Sequence, residues 1–135
     1  MSKMASIFTK IINGELPCYK VFEDDQSISF LALDQVTHGH TLVVPKMEVD
    51  HWVDVPEEIF LKVQSNAQKI AKAVQKYTEA PRVLTATIGF EVPHYHLHLV
   101  PGRKLADLDF TKGKRLPAEE MEKIQKGIIS FLKSE

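Results

Sequence analysis

The chain has 135 residues, 44% apolar and 26% charged, proportions that fit one globular domain spanning 1–135 with a real buried core. Seventeen Lys and Arg nearly balance 18 Asp and Glu, and the net charge of −1 argues against a nucleic-acid partner, while no apolar run approaches the ~20 residues of a membrane span. The single cysteine, Cys18, excludes an internal disulfide and a cysteine-based zinc cage, and the opening MSKMASIFTK holds no apolar leader core, so a cytoplasmic location is expected.

In chain order, Ser6 precedes an apolar run at 7–12 and Gly14 follows it, the signature of a short capped helix. Asp24 and Asp25 divide two strand-like runs, 19–23 and 27–33. A third run, HTLVVP at 40–45, follows the turn-like Thr37-His38-Gly39. Pro56 then opens a long helix whose stripe is Ile59, Phe60, Val63, Ala67, Ile70, Val74 and Tyr77. Lys62, Lys69, Lys72 and Lys76 lie mostly off that stripe and are expected to face solvent. Ala80-Pro81 ends the helix, and RVLTAT at 82–87 reads as a strand.

A loop around Gly89 leads into His94-Tyr95-His96-Leu97-His98-Leu99-Val100-Pro101, which holds three of the six histidines. On a strand, positions i, i+2 and i+4 share one face at intervals of roughly 6.5–7 Å. This strand would place three imidazoles on a cleft-facing side and Tyr95, Leu97 and Leu99 in the core. Residues 102–116 read as a mobile basic loop with Arg103, Lys104, Lys112, Lys114 and Arg115. Pro117 opens a last helix with Met121, Ile124, Ile128 and Leu132 on one stripe. Short connections between strands favour an α+β fold, an antiparallel sheet with helices packed on it.

Three chemistries fit the histidine run taken alone. A neutral imidazole can attack phosphorus through a bare ring nitrogen if an acceptor holds the other nitrogen, and its neighbours can then hold phosphate oxygens. His96 flanked by His94 and His98 satisfies those needs. Two of the histidines could instead ligate a metal, with His40, His51, Glu48 or Glu91 completing the set. Solvent-facing histidines on a sheet are the third option. His40, just after Gly39, is placed to approach the run from a neighbouring strand. His38 and His51 lie in loop-like contexts and read as ordinary. Gly89 permits unusual backbone angles and exposes amide groups that suit a phosphate, or simply makes a tight turn. Trp52 reads as a packing or interface residue.

The motif HYHLHLV at 94–100 resembles the histidine triad (HIT) family pattern, His-φ-His-φ-His-φ-φ with φ apolar, at every position. IFTKIINGELP at 7–17, VFEDD at 21–25 and GHTLVVPK at 39–46 are similar to that family's successive N-terminal segments. The resemblance covers residues 1–101, whereas 102–135, the basic loop and last helix, carry little of it. It implies an antiparallel sheet of about five strands with a long helix and shorter terminal helices, paired into a homodimer across that helix and a strand. It implies a purine nucleotide hydrolase or transferase acting at the α-phosphate of a phosphoramidate, aminoacyl adenylate or dinucleoside polyphosphate, with no cofactor. His96 would become nucleotidylated, His98 would contact phosphate, His94 would support the network, and His40 matches the family's additional histidine. Leu33, Gly89, Phe90, Glu91 and Val92 would line the nucleotide. A nucleotide-binding module with weak or no turnover is the alternative.

The chain also departs from its relatives. Ser6 and Thr9 stand where many carry Cys-x-x-Cys, and Glu48 where many carry His, so the family's structural zinc is not expected. Phe30-Leu31-Ala32-Leu33 lacks the ribose-binding aspartate of Phe-Leu-Asp-Ile, with Asp34 displaced by two residues. Gly89-Phe90-Glu91-Val92 replaces Gly-Gln-x-Val, and Ala86 or a neighbour replaces an asparagine on the preceding strand. Glu91 would repel phosphate, or protonate a leaving group if its own pKa were raised.

Overall fold

Residues 5–134 are described by a computed structural model. Part of the leader-free N-terminal reading rests on residues 1–4, which lie outside the described residues. The first helix, α1 (Ile7–Ile12), starts where Ser6 caps it by accepting from the Thr9 amide, and Gly14 at φ +79° turns the chain away. Four strands follow: β1 (Lys20–Glu23), β2 (Ser27–Leu31), β3 (Asp34–Gln35) and β4 (Thr41–Pro45). The long helix α2 (Glu57–Thr78) ends at Glu79, whose φ of +58° lies in the left-handed region. Strands β5 (Arg82–Ala86) and β6 (Leu97–Gly102) come next, then the short β7 (Lys114–Arg115) and α3 (Ala118–Lys133).

Five strands form one antiparallel sheet in the order β1-β2-β4-β6-β5. The expected α+β architecture is therefore present, with the long helix and shorter terminal helices. Helices α2 and α3 cover one face. There Val43, Leu97, Leu99 and Tyr95 pack with Val63, Ile70, Val74, Ile124 and Ile128. The other face carries Ile28, Phe30, Leu42 and Val44, covered in part by Phe8 of α1. Because both faces are covered, β2 and β4 are buried throughout, despite the ordinary alternation of side chains along a strand.

Two elements differ from the sequence expectation. The strand carrying the triad begins at Leu97, so His94 and His96 lie in the approach to β6. The His94 amide donates back to the Val92 carbonyl at 2.8 Å, just after Pro93, and that tight turn keeps 94–96 out of the ladder. Residues 102–116 are not an open loop. They hold two short 3-10 turns, Leu105–Asp107 and Phe110–Lys112, and β7 pairs antiparallel with β3 through Asp34 opposite Arg115.

Candidate functional site: a histidine cleft beside the first helix

The period of two along β4 and β6 decides which side chains meet. In register, His98 stands opposite Leu42 on β4 and Ala86 on β5. Leu42 belongs to the face away from α2, so His98 emerges there while Leu97 and Leu99 enter the core. His40 shares the parity of Leu42 and Val44 and reaches the same side. Its place is fixed by Gln35, which is 2% exposed. The Gln35 Nε2 donates to the carbonyls of Ala32 (2.6 Å) and His40 (2.8 Å), and its Oε1 accepts from the amides of Gly39 (2.9 Å) and His40 (3.1 Å). Gly39 has a φ of +108°, and a Cβ there would meet Thr78 Cγ2 at 2.8 Å, so only glycine fits this turn.

A cleft of about 500 Å³ opens on this face, a size within the ~300–1,000 Å³ of small-molecule sites. His40, His96 and His98 line it together with Leu33, Gly89, Phe90, Glu91 and Val92. The sequence thus names about a third of the wall. Phe90 is 95% exposed at the rim, and Gly89 has the positive φ, +86°, that its loop requires. His94 is the exception. It is fully buried and turned away from the cleft, so the three imidazoles do not share one face. The turn before β6 rotates it into contact with α1 and β4.

Several lining residues escaped the sequence reading, Phe8, Phe30 and Phe110 among them. Phe8 sets its edge against His96 with ring centroids 4.9 Å apart. Phe30 in turn packs edge-on against Phe8 at 5.5 Å. Phe110 packs against His98 at 4.7 Å and His40 at 6.0 Å, and Arg115 stands at the mouth paired with Asp34 at 3.0 Å. Periodicity could have flagged the first two as core. Nothing local marks Phe110, because its segment reaches the cleft only through the β3–β7 pairing.

The hydrogen bonds fix where each ring carries its proton. His96 Nδ1 lies 2.7 Å from the His94 carbonyl. A carbonyl only accepts, so Nδ1 carries the hydrogen and the neutral ring keeps its lone pair on Nε2. The Val36 amide donates to His40 Nδ1 at 3.3 Å, which places the His40 hydrogen on Nε2. That hydrogen points at His98 Nδ1, 2.9 Å away, and His98 then carries its own on Nε2. Burial is the main cause of depressed basicity in all three. It pushes His40 down to about 4 against a smaller opposing pull from the Asp34 carbonyl. It pushes His98 to about 3, helped by the adjacent His96 and His40, and holds His96 below the ordinary imidazole value. At neutral pH the cleft therefore presents one bare ring nitrogen, on His96, and one ring N–H, on His98.

The side of His94 away from the cleft holds the residues that replace cysteines and histidine in relatives. Ser6, Thr9 and Glu48 meet there, and hydrogen bonds join them to one another and Ser6 to His94 Nδ1. Zinc prefers nitrogen and sulfur donors. This set offers two hydroxyls, one carboxylate and one imidazole nitrogen, already satisfied by each other, and it does not fit that ion. Among the described residues no group of three or more His, Cys, Asp or Glu is arranged to hold a metal.

An antiparallel sheet with paired histidines on the face away from its long helix defines a histidine-triad protein. The chain belongs to the HIT family, whose domain, described as HIT domain, matches residues 13–105. It is 31% identical over 132 residues to the adenosine 5'-monophosphoramidase HNT1 of Saccharomyces cerevisiae, covering 90% of this chain and 84% of that one. A crystal structure of a Hit-like protein from Bartonella henselae superposes with a TM-score of 0.84 at 30% identity, over 97% of this chain and 99% of that one. A zinc-bound histidine triad family protein from Mycobacterium smegmatis gives 0.82 at 28% identity, over 95% and 93%. No helix among the described residues is long and apolar enough to cross a membrane.

Proposed function

We propose that this protein hydrolyses or transfers the nucleotidyl group of a nucleoside monophosphoryl compound through a covalent intermediate on His96. The observation that carries the reading is the 2.7 Å bond from His96 Nδ1–H to the His94 carbonyl, which leaves Nε2 as the attacking atom. Its lone pair forms a P–N bond as the bond from phosphorus to the leaving group breaks. The leaving group departs with that electron pair and takes a proton from water at the open side of the cleft. Water then attacks phosphorus, the P–N bond breaks, and His96 returns to its neutral form while the water's proton passes to solvent.

The other residues hold the substrate. His98 donates Nε2–H to a phosphate oxygen, and His40 holds His98 in that tautomer. The amides around Gly89 suit the remaining oxygens. Leu33, Phe90 and Val92 supply apolar surface to a purine nucleoside. The relation to a yeast protein named adenosine 5'-monophosphoramidase supports an adenosine phosphoramidate as first substrate to try. We read the chain as one HIT domain, acting in the cytoplasm as a homodimer without a cofactor.

Incubation with adenosine phosphoramidate, an aminoacyl adenylate and a dinucleoside polyphosphate tests the reading. Wild type should release product and accumulate a nucleotidylated His96 adduct seen by mass spectrometry. His96→Asn should lose roughly a thousandfold or more in rate. Product formed equally by His96→Asn would refute the mechanism. One observation favours a second reading, a nucleotide-binding module with weak turnover: Glu91 places a carboxylate at the cleft wall, close enough to act on His96. Tight nucleotide binding by calorimetry without product would select it.

A further inference from the structure

As N-cap of α1, Ser6 accepts the Thr9 amide on its side-chain oxygen at 3.1 Å. That cap uses only a lone pair, so the hydroxyl proton can go to Thr9 Oγ1 at 3.3 Å or to His94 Nδ1, and the much shorter contact to His94 takes it. His94 Nδ1 lies 2.7 Å from the same oxygen, 88 residues further along the chain. His94 Nε2 faces the Pro45 carbonyl at 2.8 Å. A carbonyl only accepts, so Nε2 carries the hydrogen, and in the neutral ring Nδ1 accepts the Ser6 hydroxyl. Glu48 holds Ser6 in place. Its Oε1 accepts the Ser6 amide at 2.7 Å and the Thr9 hydroxyl at 2.6 Å. With its proton committed to Glu48, Thr9 does not compete for His94, from which it lies 3.5 Å away. Ser6 is 6% exposed and His94 fully buried, so water does not substitute for these bonds.

We propose that Ser6 and Glu48 are positioning residues that anchor the His94 ring through hydrogen bonds alone, in place of a metal ion, and thereby hold the His94 carbonyl that orients His96. The inference rests on the reading of His96 as the attacking group. The relay runs from the Glu48 carboxylate to the Ser6 backbone, through its hydroxyl to His94, and through the His94 carbonyl to His96 Nδ1–H. Phe8, next in sequence to Ile7 on α1, packs edge-on against both rings, at 5.8 Å from His94 and 4.9 Å from His96, so a shift of the helix start reaches both.

The test is the tautomer of each ring in the free protein, read from side-chain 15N shifts of histidine. Wild type should show His94 as Nε2–H and His96 as Nδ1–H. Ser6→Gly keeps a tolerated cap residue but removes the hydroxyl. It should mix the His94 tautomers, broaden the His96 Nδ1–H signal, and lower kcat about tenfold with little change in KM. Ser6→Thr should restore both readouts. Glu48→Ala should move them in the same direction less strongly, and it serves if Ser6→Gly does not fold. Wild-type His94 protonated on Nδ1, unchanged tautomers in a folded Ser6→Gly, or a stoichiometric zinc ion in the purified protein would each overturn the proposal. Wild type that shows the stated tautomers, loses them in Ser6→Gly, yet turns over no substrate would leave the relay standing and count against the hydrolase reading.

Discussion

Nε2 of buried His40 lies 2.9 Å from Nδ1 of half-buried His98, so one hydrogen joins the two imidazoles and there is no room for a second between them. Protonating His98 would set its Nδ1–H against the Nε2–H of His40, and protonating His40 would set its Nδ1–H against the Val36 amide. Burial and this pairing act in the same direction, and they set the pH behaviour of the fold.

Stability should fall in mild acid. An unfolded histidine titrates near ~6.5, whereas folded His40 and His98 sit at about 4 and about 3. Above pH ~6.5 both states are neutral and these groups contribute nothing. As pH drops below ~6.5 the unfolded chain takes up protons that the folded chain refuses, so stability is lost until the folded values are reached. At pH 5 the loss is at most about 2 kcal/mol per group. Urea melts at pH 7.5 and 5 measure it, and His98→Asn should show the smaller pH dependence.

Turnover should resist acid further than an ordinary histidine enzyme. Burial holds His96 below the usual imidazole value, so the attacking nitrogen is unprotonated in a larger share of molecules at pH 6.5 than in an ordinary histidine. The rate constant kcat/KM should decline in acid with a midpoint below pH 6.5. A midpoint at or above pH 6.5 would contradict the burial argument.

Phe110→Ala should raise the titration points of His98 and His40. The ring lies 4.7 Å from His98 and excludes water from it, and its removal lessens the desolvation that depresses both groups. An NMR titration of the ring protons should show both moving toward ~6.5. Nucleotide affinity should weaken as one wall of the cleft is lost.

Gln35→Ala should cost about 2–4 kcal/mol, because buried carbonyls of Ala32 and His40 lose a donor and two amides lose an acceptor. Gln35→Glu keeps the shape but sets a buried carboxylate oxygen against both carbonyls, and it should cost at least as much. Each variant should lower kcat/KM as well, since the same amide group sets the position of His40.

Leu61→Asp should turn a homodimer into monomers. Leu61 is 56% exposed on α2, the long helix that the family resemblance places at the interface together with a strand, and β5 is an edge of the sheet with one side unpaired. Sedimentation of wild type and variant checks it. A wild type that already sediments as a monomer would refute the homodimer.

The sequence by itself determined most of the elements and the residues of the triad. Strong local signals carry those: the Ser6 cap and Gly14 stop, the 3.6-residue stripe of α2, the aspartates between β1 and β2, and the alternation around His98. It also located the part of the cleft wall next to the triad, because residues next to a recognisable motif stay near it in space. Tertiary structure decided what each histidine does. Pairing and turns, not local pattern, rotate His94 out of the cleft and bring His40 to His98 across 58 residues. They carry Phe110 to the triad through the short β3–β7 pair, and they close Ser6, Thr9 and Glu48 around His94. Such contacts depend on distances of a few ångströms between segments far apart in the chain. A single sequence records the residue types that make them and not the geometry that joins them.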